Sequence, residues 1–216
     1  MRALLLREWN EARGNGSAFV VSLGFLFAVV VVASFAIGAE LTLLARLGPA
    51  ILWIATVLAS LLGTERLFAA DHADGTLDLV RAESDDLFAY VSAKLLARWL
   101  FVTLPLAFAS PLGALLLAME PRAILGTFVA LAIGSLALAS LSAIGAALSS
   151  GARATPMLGT LVVFPLLTPL VVFGTATATG WSTQAGTTPL LLLCAATLAS
   201  VAGAYAVIPA LLRSRG

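Results

Sequence analysis

Glu65-Arg-Leu-Phe-Ala-Ala-Asp-His-Ala-Asp-Gly-Thr-Leu-Asp-Leu79 carries Glu65, Asp71, Asp74 and Asp78, four of the eleven acidic residues of a 216-residue chain. The chain as a whole is 61% hydrophobic and only 11% charged, whereas a soluble domain carries about 25% charged residues. Charge is costly inside a bilayer. The stretch therefore reads as a polar island in water on one side of a membrane, and the sequence before and after it as membrane-spanning helix.

Working outward, intervals free of Asp, Glu, Lys and Arg define the spans. They hold 26 residues between Arg13 and Glu40, 18 between Arg46 and Glu65, 21 between Arg98 and Glu120, and 30 between Arg122 and Arg153. One crossing needs roughly 20 apolar residues. The 59 residues between Arg153 and Arg213 are too many for one helix, and the Gly- and Thr-rich stretch Gly174–Pro189 divides them. The expectation is an all-α polytopic membrane protein of a single domain, 1–216, with six spans at about 17–39, 47–64, 99–119, 123–148, 155–174 and 189–211. Residues 1–13 place Leu5, Trp9 and Ala12 on one helical face and Arg7, Glu8 and Glu11 on the other, which predicts an interfacial helix. The following apolar run is too long for the core of a signal peptide.

Six spans put both termini on one side together with the 65–98 and 149–155 connections. That side collects ten Lys and Arg residues, and only Arg46 and Arg122 lie on the other. Basic residues concentrate in cytoplasmic loops, so the termini are expected to be cytoplasmic. Segment 65–98 then forms a cytoplasmic helical hairpin. A first short helix ends at Gly75, suited to a left-handed cap. Ser84-Asp85-Asp86 offers an N-cap for a second helix that carries Lys94 and Arg98 towards the third span.

The residue inventory excludes several chemistries. The only lysine, Lys94, follows Ala93, so there is no P-loop and no nucleotide site of that kind. Metal-protease and hydrolase signatures are absent, no basic tract suits nucleic acid, and the one histidine, His72, falls in the polar island. Cys194 sits in an apolar run and reads as a packing residue. No Asp, Glu, Lys, Arg or His falls at mid-depth of the spans, which argues against a proton-driven carrier. Pro165 and Pro169 should kink or split the fifth span. Ser135, Ala139, Ala143 and Ala147 form a small-residue face on the fourth. That face fits either a neighbouring helix of the same chain or a second copy of it. The acidic hairpin fits either an ordinary solvated loop or a docking surface for a basic-rimmed partner.

Residues 44–79 resemble the signature of the CcmB family, the membrane permease subunits of cytochrome c maturation ABC complexes. The resemblance lies in Gly48-Pro49 with Trp53, and in Glu65-Arg66-Leu67-Phe68 followed by Asp71 and Asp74-Gly75. Ala93-Lys94-Leu95, Trp99, Leu104-Pro105, Ser110-Pro111-Leu112 and Pro165-Leu-Leu-Thr-Pro169 fit the same pattern. The chain departs from it at Arg81-Ala-Glu-Ser-Asp-Asp86, where members often carry a Leu-Pro turn.

The resemblance implies a non-catalytic subunit in the bacterial inner membrane. It would work with a separate cytoplasmic ATPase (CcmA), with CcmC and CcmD, and with the periplasmic haem chaperone CcmE, whose haem-loaded form is released by ATP hydrolysis. ATP and haem would then sit on partner subunits and no cofactor on this chain. The family's Phe-x-x-Asp motif falls on Phe68 and Asp71, so Glu65, Arg66, Phe68, Asp71, Asp74 and Gly75 become the candidate ATPase-docking residues. A permease for another substrate and a non-transporting six-helix scaffold are the alternatives.

Overall fold

The computed structural model describes residues 16–38, 40–64, 67–68, 86–149, 156–181 and 186–214. The expected interfacial helix at 1–13 lies outside them, as does most of the 65–85 segment. Among the described residues the regular structure is entirely helical: α1 (Gly16–Ile37), α2 (Leu41–Leu61), α3 (Asp86–Arg98), a π-helical turn (Trp99–Thr103), α4 (Leu104–Leu116), α5 (Pro121–Ser149), α6 (Pro156–Gly180) and α7 (Thr187–Ser214). Six helical stretches are long and apolar enough to cross a bilayer, the third being the 30-residue run Leu87–Leu116 through α3, the π turn and α4. The chain is a multi-pass membrane protein.

Helices suit this setting because each satisfies its own backbone where water is absent. Several hydroxyls inside the spans are settled in the same way. Thr56 donates to the Leu52 carbonyl at 2.7 Å, Ser140 to Leu136 at 2.8 Å and Thr177 to Phe173 at 2.8 Å, so these polar groups add little burial penalty.

Helix α5 is the most buried of the six spans, and every residue from Ala137 to Ala147 is inside. It packs chiefly against α6 and α7. The α5–α6 pair runs antiparallel: Gly126 lies beside Trp181 at one end, and Gly145 beside Gly159 at the other. A β-carbon on Gly159 would overlap the Gly145 carbonyl oxygen, so the two backbones touch because neither residue has a side chain. Between these contacts Trp53 of α2, the largest fully buried side chain, lies against Gly134 and Gly174. The face of Ser135, Ala139, Ala143 and Ala147 is wholly buried within the chain itself.

Helix α6 continues through Pro165 and Pro169, both on its exposed side. The third helix begins at Asp86, well ahead of the charge-free interval that opens at Trp99, because it takes in Lys94 and Arg98 as buried residues. At the end of the bundle where α1 and α2 join, Gly38 turns the chain with φ +83. At that same end Met119, following Ala118 (φ 51), packs onto Gly48. The opposite end, where α2 finishes and α3 begins, is the charged end.

Candidate functional site at the charged end of the bundle

The chain leaves α2 along a fixed path. The Leu62 N–H bonds the Ala59 carbonyl at 3.3 Å, and Gly63 takes φ +66, a left-handed conformation that suits glycine after a helix end. The Thr64 hydroxyl donates back to the Leu61 carbonyl at 2.5 Å. The Leu67 N–H bonds the Thr64 carbonyl at 3.1 Å. Phe68 then turns inward and is 1% exposed.

A single stripe of α3 receives this path. Tyr90, Lys94 and Arg98 stand four residues apart, so they share one helix face, and all three are buried. The Tyr90 ring meets Phe68 with centroids 6.3 Å apart and the planes tilted by 45°. The Lys94 ammonium lies 5.8 Å from the Tyr90 ring centroid, within cation–π range.

Arg98 joins three spans. Its Nε donates to the Ser142 hydroxyl of α5 at 2.9 Å, and its Nη2 donates to the Thr64 hydroxyl at 3.0 Å and to the Ser60 carbonyl of α2. That carbonyl is among the last of α2, which have no intrahelical N–H to accept. The guanidinium therefore caps α2 and places positive charge at its negative end, a favourable pairing with the helix dipole. Ser142 in turn donates to the Ala139 carbonyl at 3.0 Å. Hydrogen bonds from a charged donor contribute about 1.5–3 kcal/mol each, which explains how an arginine is retained at 7% exposure. On another side of α3, the Tyr205 hydroxyl of α7 donates to the Ser92 hydroxyl at 3.0 Å.

The α-helical register changes immediately after Arg98. Across Trp99–Thr103 the hydrogen bonding widens, and the Leu104 N–H reaches the Trp99 carbonyl five residues back. Pro105, in the first turn of α4, has no N–H to give the preceding turn. The Trp99 indole N–H donates to the Ser135 hydroxyl of α5 at 2.9 Å.

Of the sequence-predicted site residues, Phe68 is the one the structure describes. Its ring faces the protein interior. Glu65, Arg66, Asp71, Asp74 and Gly75 lie outside the described residues, as does His72. Sequence reasoning treats Lys94 and Arg98 as charges marking the end of a helix and does not single out Thr64, Tyr90 or Ser142. The available signal was the four-residue spacing of Tyr90, Lys94 and Arg98 in an otherwise apolar helix. Elsewhere, an open apolar groove of about 140 Å³ runs between α2 and α6, lined by Ile54, Val57, Leu58, Phe164, Leu167, Thr168 and Val171. Among the described residues no group of three His, Cys, Asp or Glu side chains could hold a metal ion.

A family model described as CcmB protein matches residues 1–214. Heme exporter protein B of Bradyrhizobium diazoefficiens is 38% identical over 214 residues, covering 98% of this chain and 96% of that relative. The protein of the same name from Paracoccus denitrificans is 38% identical over 214 residues, covering 99% and 98%. The one from Escherichia coli K12 is 37% identical over 169 residues, covering 78% and 77%. With a whole-chain family match and near-full-length relatives, the chain belongs to the CcmB family.

Proposed function

We propose that this chain is the permease subunit of a haem-export system serving c-type cytochrome maturation in the bacterial inner membrane. In this reading it couples a cytoplasmic ATPase, CcmA, to haem delivery onto the periplasmic chaperone CcmE and to the release of that chaperone, alongside CcmC and CcmD. The name of the near-full-length relatives, heme exporter protein B, supports the cargo. The ten-to-two distribution of basic residues supports termini in the cytoplasm.

The observation that carries the coupling role is the fastening of the connection between the second and third spans. Thr64 is held by Arg98 and Phe68 by Tyr90. A partner that pushes on a freely tethered loop moves only the loop. A partner that pushes on a segment anchored in this way moves the spans. Glu65, Arg66, Asp71, Asp74 and Gly75 form the docking face, and Phe68 holds it from within. ATP stays on the ATPase and haem on partner subunits.

Asp71→Ala tests the docking face. In gentle detergent the variant should be recovered from membranes at the normal level but should bring down at least roughly tenfold less ATPase, as expected for loss of one charge-assisted contact. ATPase recovery equal to the unmodified chain's would refute the docking role. Loss of c-type cytochromes on deletion, restored by the intact gene, tests the cargo.

A further inference from the structure

Arg98 occupies a position that the docking reading alone does not explain. Its planar fork of donors reaches α2 through Ser60, the start of the connection through Thr64 and α5 through Ser142, and the helix that carries it changes to π register at the next residue. We propose that Arg98 is a positioning residue that relays displacement of the 65–85 connection to the second and fourth spans, with the π turn at Trp99–Thr103 as the joint about which α3 swings. This deepens the reading of that connection as the ATPase-docking segment and rests on it.

Three features support a relay rather than a static clip. First, the path is continuous. Phe68 rests on Tyr90, the Lys94 ammonium lies over the Tyr90 ring, and Arg98 holds Thr64 on the same face of one helix. A push on the connection therefore reaches α3 at two levels, Tyr90 and Arg98. Second, the bonds by which Arg98 holds Ser60, Thr64 and Ser142 end on hydroxyls and on a terminal carbonyl of α2. They can break and re-form without unwinding a helix, which is what a two-position element requires. A guanidinium fixes angle as well as distance, so a small rotation of α3 changes its partners; a lysine would make one contact and tolerate the rotation. Third, the yielding point is adjacent. A π turn is often a functional irregularity in a helix, and here it separates α3, which grips the connection, from α4, which packs among the membrane helices. At the first residue of the π turn, Trp99 is tied to Ser135, two helical turns from Ser142 along α5. Two successive residues of the third helix thus hold α5 at points about 10 Å apart along its axis.

The test uses the intact complex reconstituted in lipid nanodiscs with the haem-loaded chaperone, carrying Arg98→Gln, Arg98→Lys or Ser142→Ala. Three quantities are read: ATPase recovered with the chain, ATP hydrolysed, and chaperone released per ATP. For Arg98→Gln the expectation is normal ATPase recovery and hydrolysis within about twofold of normal. Release per ATP should fall about tenfold, within the usual range for coupling between two sites. Arg98→Lys should fall with it, because charge without the fork does not restore the relay. Ser142→Ala, which removes one acceptor, should fall to an intermediate value.

Unchanged release per ATP in Arg98→Gln overturns the relay, as does a loss of release that merely matches a loss of bound ATPase. If Arg98→Gln does not accumulate in membranes, unchanged release per ATP in both Ser142→Ala and Thr64→Val overturns it. Failure of the underlying reading looks different: the unmodified chain would then recover no ATPase at all.

Discussion

The two ends of the bundle are closed by different physics. At the end where α1 meets α2, closure is by shape. Met119 lies buried against Gly48, and the Met119 N–H bonds the Ala114 carbonyl at 3.1 Å in a tight turn. At the charged end, closure is by polar side chains: Arg98, Thr64, Ser142, Tyr205 and Ser92 link α2, α3, α5 and α7. A close-packed contact resists small displacements, because a shift of the side chain opens a void or forces a clash. A set of hydrogen bonds between side chains can exchange partners while each helix stays intact. Under the proposed relay, the difference separates the part of the molecule that holds its shape from the part that transmits movement.

The largest effect is expected where both kinds of closure meet. Phe68→Ala removes a ring at 1% exposure that packs on Tyr90. Emptying such a site costs about 3–5 kcal/mol in a well-packed core. The variant should insert with six spans, show faster proteolysis between residues 64 and 86, and lose more ATPase than Asp71→Ala does. Proteolysis and ATPase recovery at normal levels would mean that the ring is not the anchor of the connection.

Gly48→Ala probes the other end. Its β-carbon would sit 2.6 Å from the Met119 Cγ and Sδ. A methionine side chain can yield, so the expected destabilisation is about 1–2 kcal/mol, at the low end for overpacking. It should appear as a lower denaturation midpoint in detergent, with chaperone release per ATP unchanged. If Gly48→Ala reduced release per ATP as strongly as Arg98→Gln, the contrast between a fixed end and a movable end would be lost.

Much of the fold is legible in the sequence because bilayer physics acts on single residues. Charge-free intervals and the polar stretch at Gly174–Pro189 point to six helices in the right order. The start of the third helix escapes the interval rule, which assumes that every charge lies outside a span. Lys94 breaks that rule beside the Tyr90 ring one turn back on its own helix, and Arg98 through partners supplied by tertiary structure; Ser60 and Ser142 carry no mark in the sequence of their pairing with an arginine. The small-residue period on α5 is visible, but the touching backbones of Gly145 and Gly159 require knowing which two helices meet. Phe68 stands out through its place in a motif, and a motif does not say which way a ring points. Its burial is decided by Tyr90, on the next described helix.

The smallest expected effect distinguishes the faces of α3. Tyr205→Phe removes only the hydroxyl that donates to Ser92 at 3.0 Å. Ser92 also donates to the Phe88 carbonyl at 2.7 Å, so its own hydroxyl proton remains satisfied. The net loss is then about 1 kcal/mol, typical of one neutral hydrogen bond. The consequence for coupling follows from which side of α3 is tied. The Tyr90–Lys94–Arg98 face grips the connection, and the Ser92 contact links α3 to α7. If α3 swings about the π turn, loosening the link to α7 makes that movement easier without breaking the path through Arg98. Tyr205→Phe should therefore leave chaperone release per ATP intact or raise it slightly, while Ser142→Ala, also the loss of one hydroxyl, lowers it. Equal losses in the two variants would show that the charged end responds to any weakened contact, and the distinction between its two faces would have to be abandoned.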